Sequence, residues 1–109
     1  MTTLEATVLG RVIRVECQSL DQGWDIAVLG GDSTHIGAVT LAEPDGTEQT
    51  IERSGHKDSY VTRTWAIQLA RAWKAPVCIR CGIHFDGLEE EQISTVLRVC
   101  DALLQRLGK

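Results

Sequence analysis

The sequence predicts a single α+β domain spanning residues 1–109, with one mixed or antiparallel sheet of about five strands and two helices packed on one of its faces. Two helical stripes and one run of strand alternation carry that expectation. Val61, Trp65, Leu69 and Trp73 recur every four residues, with Ala66 and Ala70 widening the stripe. Ile93, Val96, Leu97, Cys100, Leu103, Leu104 and Leu107 form a second stripe near the C-terminus. Ahead of both, apolar and polar residues alternate with the two-residue period of half-buried strands.

The elements follow in order. Over 7–17, Leu9, Ile13, Val15 and Cys17 fall on one face and Arg14 and Glu16 on the other, which reads as one strand. Ser19 to Gly23 is a turn and Trp24 to Leu29 a second strand. Gly30-Gly31-Asp32-Ser33-Thr34 is a permissive loop before a small-residue strand over 36–42. Glu43-Pro44-Asp45-Gly46 signals a hairpin, because proline presets the first turn dihedral and glycine takes a positive φ. Thr47 to Glu52 pairs back as a polar strand near an edge. Asp58 or Ser59 is placed to cap a helix running to about Trp73, with Pro76 beyond its end. Val77, Ile79, Cys81, Ile83 and Phe85 share a face of the next strand. After the Asp86-Gly87 turn, Glu89, Glu90 and Glu91 suit the positive end of a helix over 88–107. The order is four strands, helix, strand, helix.

Composition narrows the function classes. The chain has 109 residues, 43% hydrophobic and 24% charged, which fits a globular domain and not a disordered one. A chain of this length buries roughly two-thirds of its unfolded surface, a modest reserve that self-association would supplement. The net charge of −4 and the lack of any basic stripe argue against nucleic acid or an anionic membrane as partner. No apolar run approaches the ~18 residues of a membrane span. The N-terminus lacks a basic and apolar leader, so a cytoplasmic protein with reduced cysteines is expected.

Several residues look out of place in a plain scaffold. His35, His56 and His84 each sit at the end of an element. If those ends converge, the imidazoles with Asp32, Asp58 or Asp86 form a metal or anion site; otherwise they are separate surface histidines. Gly30-Gly31-Asp32-Ser33-Thr34 could expose backbone N–H groups to an anion, but it is neither a Walker nor a dinucleotide motif, and a simple inter-strand turn fits it as well. His56-Lys57-Asp58 enters a helix whose N-terminus attracts anions, with Arg63 farther along to add charge; an ordinary capped helix is the alternative. Cys78 and Cys81 have metal-pair spacing, yet residues three apart on a strand point to opposite faces, so core cysteines are expected. Trp24, Trp65 and Trp73 read as core or interface. No nucleophile elbow, paired-carboxylate or Ser/His/Asp signature occurs, so a non-enzyme is favoured over an enzyme.

Three short motifs in order and spacing resemble one family. His35-Ile36-Gly37-Ala38-Val39, His56-Lys57-Asp58 with Val61 following, and Gly82-Ile83-His84-Phe85-Asp86 ahead of an acidic helix start look like the LpdD-like prenylated-flavin chaperones. The resemblance runs from about Gly30 to the end. Thr34 stands where the family pattern has proline and Gly87 where it has asparagine. The resemblance implies an accessory protein of UbiD-like decarboxylases that holds prenylated FMN (or FMN) and helps to mature or deliver it. It places His35, Gly37, His56, Lys57, Asp58, Arg63, His84 and Asp86 at the cofactor, with the phosphate at His56, Lys57 and the helix N-terminus. An apolar wall for the ring system is expected from Trp or Ile side chains, and a divalent ion on His35, His56 and His84 is a further expectation. Implied partners are a UbiD-like decarboxylase, a prenylated-FMN synthase and a second copy of the chain. At fold level the chain also resembles proteasome assembly chaperone domains. A cofactor-free assembly factor and a small metal-dependent enzyme are the competing readings.

Overall fold

The first reversal of the chain rests on two residues in left-handed backbone, Leu9 at φ 52° and Gly10 at φ 74°. They join β1 (Thr2–Val8) to β2 (Arg11–Leu20) in an antiparallel hairpin. The single strand expected over 7–17 is therefore two strands. Leucine rarely adopts positive φ, so Leu9-Gly10 carries no turn signature of the Asn-Gly kind. Leu9, expected on the buried face, is exposed at the hairpin tip.

The computed structural model describes residues 1–53 and 58–108. After the hairpin come β3 (Gly23–Gly31), β4 (Ser33–Ala42), β5 (Glu48–Glu52), α1 (Ser59–Trp73), β6 (Val77–His84) and α2 (Glu90–Leu107). The architecture is α+β, as expected, with a six-stranded mixed sheet in the order β1-β2-β3-β6-β4-β5. The sixth strand is the missed β1. Strand β6 inserts between β3 and β4, parallel to the first and antiparallel to the second.

Strand alternation sends Ile13, Val15 and Cys17 of β2, Ile26 and Val28 of β3, and Val77, Ile79 and Cys81 of β6 into one core. Trp65 and Leu69 of α1, with Val96, Cys100, Leu103 and Leu104 of α2, cover that face. Thr40 and Thr62 are fully buried and bond to each other at 2.8 Å, and Thr40 Oγ1 lies 2.7 Å from Thr50 Oγ1. This satisfied polar contact fixes α1 on β4 and β5. Trp24 and Trp73 meet with ring centroids 4.5 Å apart, while Trp65 is in the core.

Both helices end and begin on local chemistry. Lys74 takes left-handed backbone and its N–H bonds Ala70 O, closing α1. The Glu89 N–H donates to Gln92 Oε1 at 2.9 Å, and Glu90 and Glu91 occupy the first turn of α2. Among the described residues, no helix is long and apolar enough to cross a membrane.

Because β6 separates β3 from β4, the Gly31–Ser33 connection must pass across the C-terminal end of β6. There the Asp32 N–H donates to His84 O at 2.6 Å. The β4–β6 register then breaks between Thr34 and Ala38. This crossing draws the ends of three strands together.

Candidate functional site

Where β3, β4 and β6 end together, Asp58 is the buried centre. Its position precedes α1, as expected for an N-cap, but its side chain makes no capping bond. Instead Oδ1 accepts the Ile83 N–H at 3.2 Å and the Cys81 thiol at 3.5 Å. Its other oxygen, Oδ2, lies 3.3 Å from His35 Nε2. The carboxyl thus serves β6 at the register break, where β4 has bulged away. Asp58 is only 9% exposed.

Two glycines make this approach feasible. A Cβ on Gly37 would overlap the Asp58 carboxyl, and a Cβ on Gly82 would overlap the backbone carbonyl of His35. The absence of side chains there lets β4 fold over β6 and bring His35 beside Asp58.

His84 lies at the rim. Its ring centroid is 6.2 Å from that of His35, at an interplanar angle of 79°. His84 Nε2 is 2.8 Å from Asp86 Oδ1. The Asp86 N–H donates to Asp32 Oδ2 at 2.8 Å, and Arg11 Nε donates to Asp32 Oδ1 at 2.7 Å. The Asp86 N–H, with help from Arg11, holds the Asp32 carboxyl below its usual range. The order Arg11–Asp32–Asp86–His84 is a surface chain of polar contacts fixing the rim.

Beside the rim opens a cavity of about 350 Å³. His84 and the largely buried Asp58 are the imidazole and carboxyl members of its lining. Val61, Ile83, Phe85, Leu88, Ile93, Val96, Leu97 and Cys100 form its walls. An apolar cleft with a few convergent polar groups is the general form of a small-molecule site. Burial pushes the Cys100 thiol up to about 12 and raises the Cys81 thiol as well. Both stay protonated near neutrality, so neither is an activated nucleophile toward a bound molecule.

The structure therefore brings together His35, Gly37, Asp58, His84 and Asp86. Arg63 is turned elsewhere: its Nε reaches Thr50 Oγ1 at 3.3 Å and Glu48 Oε1 at 3.5 Å, on β5. His56 and Lys57 lie outside the described residues. Among the described residues no group of three His, Cys, Asp or Glu is arranged to hold a metal ion. The four cysteines are free, with Cys81 in the core and Cys78 on the opposite face.

The cavity wall includes the expected isoleucines, Ile83 and Ile93, but none of the tryptophans. Trp24 and Trp73 pair away from the cavity and Trp65 is in the core, so the aromatic member is Phe85, joined by residues of α2. The α2 residues had been read as core stripe alone. Ile93 offered a signal, since it opens that stripe one turn ahead of the first residue in the core, and it proves 46% exposed at the cavity.

The prenylated flavin chaperone LpdD-like domain matches residues 8–109 of the chain. The chain belongs to that family. Nothing in the match touches residues 1–7, most of β1, which the motifs also leave out. Among solved structures, a chain of a chaperone complex for yeast 20S proteasome assembly is similar, with a TM-score of 0.59 at 14% identity, covering 97% of this chain and 94% of that one. At that identity the likeness shows the fold, which this LpdD-like domain shares with an assembly chaperone. None of the curated proteins matches.

The residues present fit a flavin of the kind the family description names. The apolar side chains of the lining suit a fused ring and a prenyl group, and the lining also offers the His84 imidazole and the Asp58 carboxyl to polar ring edges. The first turn of α1 contains no acidic residue, but Asp58 occupies its N-cap position and Glu52 accepts from the Ser59 hydroxyl there, so carboxylates already face its positive end.

Proposed function

We propose that this LpdD-like protein holds prenylated FMN, or FMN, in the cleft between β6 and α2 and matures it or passes it to a UbiD-like (de)carboxylase in the cytoplasm. The observation that carries the reading is the cleft walled largely by apolar side chains, with Asp58 and His84 in its lining, in a chain of the prenylated flavin chaperone family. When bound, the cofactor itself supplies the decarboxylation chemistry of the recipient enzyme. The chain's own residues do simpler work. Ile83, Phe85, Leu88, Val96 and Leu97 exclude water from the apolar part of the ligand. His84, in the cleft lining, is oriented by Asp86, and His35 stands behind it beside Asp58. The phosphate is assigned to His56, Lys57 and the start of α1. Arg63 joins them only by leaving Glu48. A divalent ion on His35, His56 and His84 depends on His56. A homodimer is the assembly we assign, with the decarboxylase and a prenylated-FMN synthase as transient partners.

The test is anaerobic purification after co-expression with a prenylated-FMN synthase, read by absorbance and native mass. The expected result is a flavin-like spectrum with the added mass of the cofactor, lost in His84→Ala and His35→Ala while far-UV circular dichroism is retained. A colourless protein without added mass overturns the reading.

The fold shared with a proteasome-assembly chaperone favours one alternative, a cofactor-free assembly factor. That reading expects a stable complex with the decarboxylase, unchanged by His84→Ala.

A further inference from the structure

The face of the sheet opposite the helices carries no covering element among the described residues, yet its strands are built to be covered. Strand β3 runs Ile26-Ala27-Val28-Leu29 without a polar interruption, and it pairs in parallel with β6. Parallel strands with continuous apolar runs are the kind that proteins bury on both faces. One face of β3 is in the core through Ile26 and Val28. The other carries Leu29, partly exposed, and Ala27, which its neighbours already bury. Around them lie Val12, 46% exposed, Leu20 at 50%, Leu41 at 48% and Ile51 at 74%. Strand pairing sets Val39 beside Ile51 on one side, and Arg80, paired with Asp25, stands between this apolar group and that of Ala27 and Leu29. A depression of about 380 Å³ bordered by Leu20, Leu41, Cys78 and Arg80 gives the face relief.

We propose that this open face is the surface on which a second copy of the chain docks, forming a two-layer sandwich of sheets with the helices outside. The proposal rests on the homodimer reading above and specifies its surface.

Charge favours a second copy over a generic partner. The charged side chains of this face are Glu5, Glu16 and Asp25 against Arg14, Arg53 and Arg80, which cancel. Arg80 Nε lies 3.3 Å from Asp25 Oδ1, and Arg14 Nε lies 3.9 Å from Glu16 Oε2. The chain's net −4 is therefore carried entirely elsewhere. Two identical acidic chains repel over most of their surfaces and can meet on this neutral one. Both signs being present, a two-fold arrangement can set each against its opposite.

Size agrees as well. Six strands at ~4.8 Å spacing span roughly 25–30 Å, and with a similar strand length the face offers roughly 600–800 Å², close to the ~800 Å² per partner of a stable interface. The molecular extents of 39 × 28 × 20 Å accommodate such a face.

Sedimentation equilibrium over a concentration series decides it, with wild type, Leu41→Lys/Ile51→Lys and a control, Leu9→Lys at the exposed β1–β2 tip. The expected masses are twice the 12.0 kDa chain for wild type and control, and a single chain for the double variant. Its dissociation constant should rise roughly 100-fold or more, since each lysine enters the two-fold interface twice. Circular dichroism should be unchanged, both positions being exposed in the single chain. Wild type at 12.0 kDa throughout overturns the homodimer reading and this surface with it. A double variant that remains dimeric overturns the surface alone. A monomeric wild type whose capture by a UbiD-like enzyme is lost in the double variant overturns the second copy and gives the face to that partner.

Discussion

Replacing Asp58 by alanine removes the acceptor of two donors on β6, the Ile83 N–H and the Cys81 thiol. The position also precedes a helix, where loss of a capping side chain ordinarily costs about 1 kcal/mol. That cost does not apply here, because the Asp58 side chain makes no capping bond. The expected loss comes from β6. A buried N–H left without an acceptor costs about 1–3 kcal/mol, and the space left by the carboxyl adds to it, for a total of about 2–4 kcal/mol. Against a total stability of 5–15 kcal/mol in proteins generally, this is a large fraction. Asp58→Asn keeps an acceptor of the same shape and should cost about 1 kcal/mol. Urea unfolding followed by circular dichroism measures both, and amide hydrogen exchange localises them. Exchange should accelerate at Ile83 and its β6 neighbours before it does in the first turn of α1. An Asp58→Ala loss below about 0.5 kcal/mol, or faster exchange confined to α1, would refute the assignment of this carboxyl to β6.

The remaining expectations concern the neighbours of Asp58. Gly37→Ala puts a Cβ where the Asp58 carboxyl sits and near His35 Nε2, so it should push the two apart. Flavin retention should fall by roughly 10-fold or more with a stability loss of about 1–3 kcal/mol, checked by ligand titration beside urea unfolding; retention equal to wild type would show that the His35–Asp58 contact does not shape the site. Asp32 has a folded-state titration point below the 3.8 of a free carboxyl, through the Asp86 N–H and Arg11. Its contribution is thus fully present above that value and disappears as pH falls through the lower folded one. The gap in urea midpoint between wild type and Asp32→Asn should accordingly be constant from neutrality to about pH 5 and close below the free-carboxyl range. A gap that persists undiminished in strong acid would contradict the Asp86 and Arg11 contacts.

Local sequence determined most of the scaffold. The four-residue stripe of Val61, Trp65, Leu69 and Trp73 gave α1, the Ile93 to Leu107 stripe gave α2, and Pro44-Asp45-Gly46 gave the β4–β5 hairpin, because each signal lies within a few residues. The opposite facing of Cys78 and Cys81 followed from the strand period alone. The motifs around His35, His56 and His84 were legible as a family pattern, but not as a geometry.

Tertiary structure decided the rest. Leu9 enters positive φ because β1 and β2 pair along their lengths, a gain from the whole ladder that no dipeptide signature announces. Asp58 turns from the helix it precedes to a strand 25 residues away because β4 bulges and leaves an N–H to be satisfied. Likewise the cavity wall needs α2 to stand off β6, and apart from the outlying Ile93 the α2 stripe does not distinguish a residue packed on the sheet from one lining a cleft. Periodicity says which side of an element is apolar. Only the insertion of β6 between β3 and β4 says what that side will meet.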